Sequence, residues 1–74
     1  MTQAAVAASI RVNGEEEPLG VATLAALLDE KAVDTGQRGI AVALNGSVIP
    51  RAAWPQTPLH AGDSVEIVRA LKGG

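Results

Sequence analysis

Two Asn-Gly dipeptides, Asn13-Gly14 and Asn45-Gly46, constrain this chain more than any other feature. Asparagine and glycine both tolerate the positive φ of a type I′ turn, the two-residue link whose twist suits paired antiparallel strands. Each dipeptide follows a strand-like segment and precedes a short return. Ser9 to Val12 alternates, with Ile10 and Val12 on one side, as a half-buried strand does. Glu15 to Pro18 returns from the first turn, and Pro18 marks an end or an edge. Ile40 to Leu44 is an apolar run too short for a helix and long enough for a central strand. Ser47, Val48 and Ile49 return from the second turn until Pro50 stops them. The likeness of IRVNG and VALNG is hairpin chemistry used twice rather than an internal repeat.

Between the hairpins, Leu24, Leu27 and Leu28 fall at helical spacing and form one apolar stripe. Thr23 is placed to cap the first turn through its hydroxyl. Ala22, Ala25 and Ala26 favour helix by propensity. The helix is expected to end near Lys31 to Val33, with Gly36 and Gly39 in the loop beyond. Arg51 to Leu59 carries Trp54, Pro55 and Pro58, so it reads as irregular chain or a short 3₁₀ turn pinned by Trp54. Gly62-Asp63 turns into a last strand, Ser64 to Arg69. One helix crossing a small mixed sheet is an α+β arrangement. In it the first and last strands could pair as parallel central neighbours, the β-grasp topology, but the sequence alone does not fix that pairing.

With 74 residues the chain makes one small domain, near the size where a single core is only just sufficient. It has no Phe or Tyr, and Trp54 is its only aromatic residue, so the core must be Val, Ile, Leu and Ala. So small a body leaves little room for a large ligand pocket. A net charge of −2, with the basic residues scattered, argues against nucleic acid. Absence of cysteine removes disulfides, thiolate metal sites and a cysteine nucleophile. No segment approaches the length of a membrane span. Met1 to Ala8 is Ala-rich, lacks a basic start, and has too short an apolar run for a signal peptide. The expected layout is a disordered leader over 1–8, a folded domain over 9–70 and a flexible tail over 71–74. The expected location is the cytoplasm.

The usual catalytic constellations are missing. His60 stands alone in a turn, and Asp63 is placed to bond its own turn. The run Glu15 to Glu17 reads as a solvated charge run on a short edge strand. No glycine-rich phosphate loop is present. What remains is Gly73-Gly74. In isolation this pair is an ordinary chain end. Beside a chain with no reactive group of its own, the carboxylate of Gly74 becomes the candidate. Two residues without side chains let it thread into another protein's narrow active site. Ala70 to Gly74, fully extended, reaches about 15 Å beyond the last strand. A carboxylate is a poor electrophile, and adenylation by ATP is a common activation. Sulfur attack then gives a thiocarboxylate, and amine attack gives an isopeptide. Ile49, Val68, Ala70 and Leu71 have two readings, as strand-end packing or as an apolar docking patch beside the tail.

The residues Val42-Ala43-Leu44-Asn45-Gly46, Val48-Ile49-Pro50-Arg51, Trp54, Pro58-Leu59, Gly62-Asp63 followed by Val65-Glu66-Ile67-Val68, and Gly73-Gly74 resemble the ThiS family of sulfur carriers in thiamin biosynthesis. The likeness covers the layout from Ser9 onward. Its more specific parts are the asparagine turn with the Val, Pro, Arg and Trp that follow, and the Gly-Asp turn. The Gly-Gly tail alone is shared with molybdopterin-synthase small subunits and ubiquitin-like modifiers, which are the alternative readings. The Ala-rich leader falls outside the pattern, and Ala26 stands where an acidic residue is often found. The resemblance implies a ubiquitin-like β-grasp fold and a carrier role rather than an enzyme. It implies a ThiF-type adenylyltransferase that adenylates Gly74 with ATP, and a cysteine desulfurase or other donor that supplies sulfur. It further implies a ThiG-type thiazole synthase that receives the sulfur. By this resemblance Gly73 gives clearance in the enzyme channel, and Lys72, Leu71, Ala70, Val68 and Ile49 contact partners. No cofactor or metal is assigned to the chain itself, since ATP belongs to the partner.

Overall fold

The computed structural model of the chain describes residues 8–34, 36 and 38–69. Both Asn-Gly dipeptides reverse the chain with positive φ, 52° at Asn13 and at Asn45, 86° at Gly14 and 87° at Gly46. The first turn joins β1 (Ser9–Val12) to β2 (Glu15–Pro18), and the second joins β3 (Ile40–Leu44) to β4 (Ser47–Val48). β5 (Ser64–Arg69) lies between the hairpins, parallel to β1 and antiparallel to β3. The sheet order is β2-β1-β5-β3-β4, which settles the pairing of the first and last strands that the sequence left open. With one helix against one face, this is the α+β arrangement of the β-grasp. The ladder of the first hairpin extends one residue before β1, where the Ala8 carbonyl accepts from the Leu19 amide at 2.8 Å. Ala8 therefore belongs to the folded body, and the rest of the expected leader lies outside the described residues.

The helix α1 (Leu24–Glu30) begins as its cap requires. Thr23 is extended, and its hydroxyl accepts from the Ala26 amide at 3.2 Å. At the other end Ala32 takes a left-handed conformation, φ 60°. The Val33 amide donates to the Leu28 carbonyl and the Ala32 amide to that of Asp29, which closes the helix as a Schellman motif. Val33 and Leu28 are both buried, which supplies the apolar contact of that motif. Lys31 at this end forms an ion pair with Glu17 of β2 at 2.6 Å. One residue of the acidic run thus ties the helix to the sheet edge.

The core is aliphatic apart from one indole. Ile10, Val12, Val42 and Val65 from the sheet meet Leu24, Leu27 and Leu28 from the helix, with Val33, Leu59 and Trp54 closing the ends. A 3₁₀ segment, η1 (Arg51–Gln56), carries Trp54, which is buried and donates from Nε1 to the Ile49 carbonyl at 2.8 Å. That bond satisfies the one polar atom of the side chain. Main-chain bonds from Leu24 to Thr57 and from Leu59 to Ala22 stitch the crossover to the start of α1.

Candidate functional site

Among the described residues, nothing covers the sheet face opposite the helix. Val42 and Val65 point into the core, so Ala41, Ala43 and Val68 point away from it. The register sets Ala41 opposite Val68 and Ala43 opposite Val48. These four residues form one apolar strip across β5, β3 and β4. Val68 is 59% exposed and Val48 72%, and they are the exposed large hydrophobic side chains among the described residues. Glu66, opposite Ala43 on β5, borders the strip, and Arg11 and Glu16 lie on the same face on the far hairpin. Val68 stands next to Arg69, the last described residue, so the strip reaches the end of the described chain.

Of the predicted partner-contacting residues, Val68 lies in this strip and Ile49 does not. Ile49 is half-buried against the core, its amide bonded to the Val42 carbonyl and its own carbonyl to Trp54. Val48 takes the place expected of Ile49. The signal was present in the sequence, because a two-residue turn at Asn45-Gly46 sets Leu44 opposite Ser47 and hence Ala43 opposite Val48. Ala70, Leu71, Lys72, Gly73 and Gly74 lie outside the described residues.

The strand that carries Val68 is fastened from both sides by the two turn asparagines. Asn45 Oδ1 accepts from the Ser64 amide at 2.9 Å, and its Nδ2 donates to Asp63 Oδ1 at 3.0 Å. Asn13 Oδ1 accepts from the Ile67 amide at 2.7 Å, while the Asn13 amide donates to the Val65 carbonyl. Asn13 thereby substitutes its side-chain carbonyl where a continuing β1 would have offered a main-chain one. Asp63 completes the clamp by accepting from the His60 amide at 2.8 Å. The bond from Asn45 holds the Asp63 carboxyl below its ordinary value, helped by the amide and charge of His60 and opposed by partial burial. His60 itself is largely exposed, with a side-chain exposure of 73%.

On the helix side of the same strand end lies an open groove of about 590 Å³, lined by Glu15, Glu17, Lys31, Ile67 and Arg69 among others. Its charges are of both signs, and Lys31 and Glu17 neutralise each other. Among the described residues no cluster of His, Cys, Asp or Glu is arranged to hold a metal ion. No helix among them is long and apolar enough to cross a membrane. The arrangement is a small body with a central strand clamped by two turn asparagines, and an apolar strip on one side of that strand near the last described residue.

The ThiS family model matches residues 6–74. This chain belongs to the ThiS family. A sulfur carrier protein ThiS from Thermus thermophilus is 40% identical over 63 residues, covering 85% of this chain and 95% of the relative. A thiazole synthase from Paramagnetospirillum magneticum is 38% identical over 64 residues, and the matched part is 19% of that longer protein. The crystal structure of the thiamine biosynthesis protein ThiS from Geobacter metallireducens superposes with a TM-score of 0.73 at 30% identity, covering 89% of this chain and 99% of that one. The solution structure of a thiamine biosynthesis protein from the same organism gives 0.72 at 30% identity, covering 89% of this chain and 87% of that one. The resemblance drawn from the sequence and the β-grasp fold it implied are thus both correct for this ThiS-family chain.

Proposed function

We propose that this chain carries sulfur on the carboxylate of Gly74 for thiazole formation in thiamine biosynthesis. The observation that carries this reading is the match to the Thermus sulfur carrier, which spans nearly the whole of that protein. A ThiF-type adenylyltransferase docks on the strip of Val48 and Val68 and receives the tail. The Gly74 carboxylate attacks the α-phosphorus of ATP and expels pyrophosphate. The terminal sulfur of a persulfide, supplied by a cysteine desulfurase or another donor, then displaces AMP, and a thiol reductant cleaves the resulting acyl disulfide to leave a thiocarboxylate. The match to a thiazole synthase supports a ThiG-type enzyme as the acceptor of that sulfur. The folded body supplies recognition and holds the root of the tail, while ATP and the bond-making groups belong to the partners.

Incubation with a ThiF-type enzyme, ATP and a sulfur source tests this directly. Intact-mass spectrometry is expected to show one oxygen replaced by sulfur at the C-terminus, and deletion of Gly74 is expected to abolish the change. An unchanged mass, with an enzyme shown to be active on a known carrier, overturns the proposal.

A further inference from the structure

We infer that Asn13-Gly14 is a site of spontaneous side-chain deamidation in the folded protein, and that Asn45-Gly46, the same dipeptide in the same turn, is protected from it by Asp63. The reaction is intramolecular until water enters. The Gly14 main-chain nitrogen attacks Asn13 Cγ, a nitrogen–carbon bond forms, the Cγ–Nδ2 bond breaks, and the displaced proton leaves with Nδ2 as ammonia. Water then opens the resulting succinimide at either carbonyl, giving aspartate or isoaspartate.

Glycine on the C-terminal side leaves the attacking nitrogen unhindered, and this is equal at the two sites. At both Gly14 and Gly46 nothing lies within 4 Å of where a Cβ would stand. Both asparagines are exposed, and both share a φ of 52°. Both also donate a main-chain bond to β5 or its carbonyls, Asn13 to Val65 and Asn45 to Ser64. The difference lies in the leaving amide. The Asn45 amide is held at both ends, by the Ser64 amide at Oδ1 and by the Asp63 carboxylate at Nδ2. The Asn13 amide is held only at Oδ1, by Ile67, and its Nδ2 has no partner among the described residues. To swing Cγ over the glycine nitrogen, Asn45 must break one more bond than Asn13, and that bond is to a carboxylate. A single charge-assisted hydrogen bond is sufficient for a rate difference on the order of tenfold.

The product has a consequence for the tail root. An aspartate at position 13 keeps an oxygen to accept from Ile67, and it adds a negative charge to the groove shared by Glu15, Glu17 and Arg69. Isoaspartate instead lengthens the main chain inside a two-residue turn and disturbs the register on which the β1–β5 pairing depends.

The test is to age the full folded chain at neutral pH in water labelled with heavy oxygen and to map label by peptide mass spectrometry. Label is expected at position 13 about tenfold faster than at 45, with the two rates equal in denaturant. In Asp63→Ala, the rate at 45 is expected to rise toward that at 13. Equal rates in the folded wild type, or faster labelling at 45, overturn the inference. So does a folded Asp63→Ala protein in which position 45 stays slow. Should that variant fail to fold by circular dichroism, the comparison of folded with denatured wild type still decides.

Discussion

Asparagine does two jobs at positions 13 and 45. Its backbone accepts positive φ, and its side chain then reaches the amide of a strand far along the chain, Ile67 in one case and Ser64 in the other. The Nδ2 of the same Asn45 side chain donates to Asp63, and the titration of Asp63 reports on that bond. The folded-state pKa lies below the ordinary 3.8, first because of the Asn45 bond and then because of His60. A group depressed in this way stabilises the fold above its unfolded value, and the contribution is lost as pH falls through the folded value. Asp63→Asn is therefore expected to be less stable than wild type at neutral pH, with the gap closing as the solution is acidified through the aspartate range. Urea midpoints measured against pH check this. A gap that stays constant down to the lowest pH contradicts an electrostatic role for Asp63.

At the scale of elements, the C-terminal end of α1 sets an alanine where helices favour glycine. Ala32 holds φ at 60° within a complete Schellman motif. A Cβ in that conformation is unfavourable, so Ala32→Gly is expected to stabilise the protein by roughly 0.5–1 kcal/mol, after the greater freedom glycine gives the unfolded chain. A shift of the denaturant midpoint to higher concentration, with unchanged slope, is the measurement. The same residue explains why the helix end was legible only to within Lys31 to Val33: no Gly or Asn marks the stop. Thr23, by contrast, announced the start, and the Asn-Gly pairs announced both hairpins. The candidate site divides in a similar way. Val68 followed from alternation along a six-residue strand. Val48 was missed because β4 is only two residues long, too short to show a period, and its parity had to be taken from the turn. The clamp of Asn45 on Asp63 joins residues 18 apart and has no local signature. It became visible only once β3 and β5 were side by side.

The whole molecule is asymmetric in a way that suits a carrier. One sheet face is spent on the core, and the other keeps an apolar strip that the fold does not need. Val48 and Val68 are mostly solvated, so a charge at either costs the isolated body little, whereas a partner closing over the strip would have to desolvate it. Ile49, two atoms of whose main chain are bonded within the core layer, is the internal contrast. The double variant Val48→Asp with Val68→Asp is expected to keep the wild-type circular dichroism and melting profile. Its kcat/KM as substrate for a ThiF-type enzyme is expected to fall by at least about tenfold, since burying one valine contributes on the order of 1.5–3 kcal/mol. Ile49→Ala is expected to behave in the opposite way. It loses about 2 kcal/mol of stability through core packing, yet loads at close to the wild-type rate below its melting temperature. Rates of ATP-dependent loading, measured beside melting curves for both variants, separate recognition from folding. Wild-type loading by the double aspartate variant would remove the strip from the docking surface and leave recognition to the tail alone.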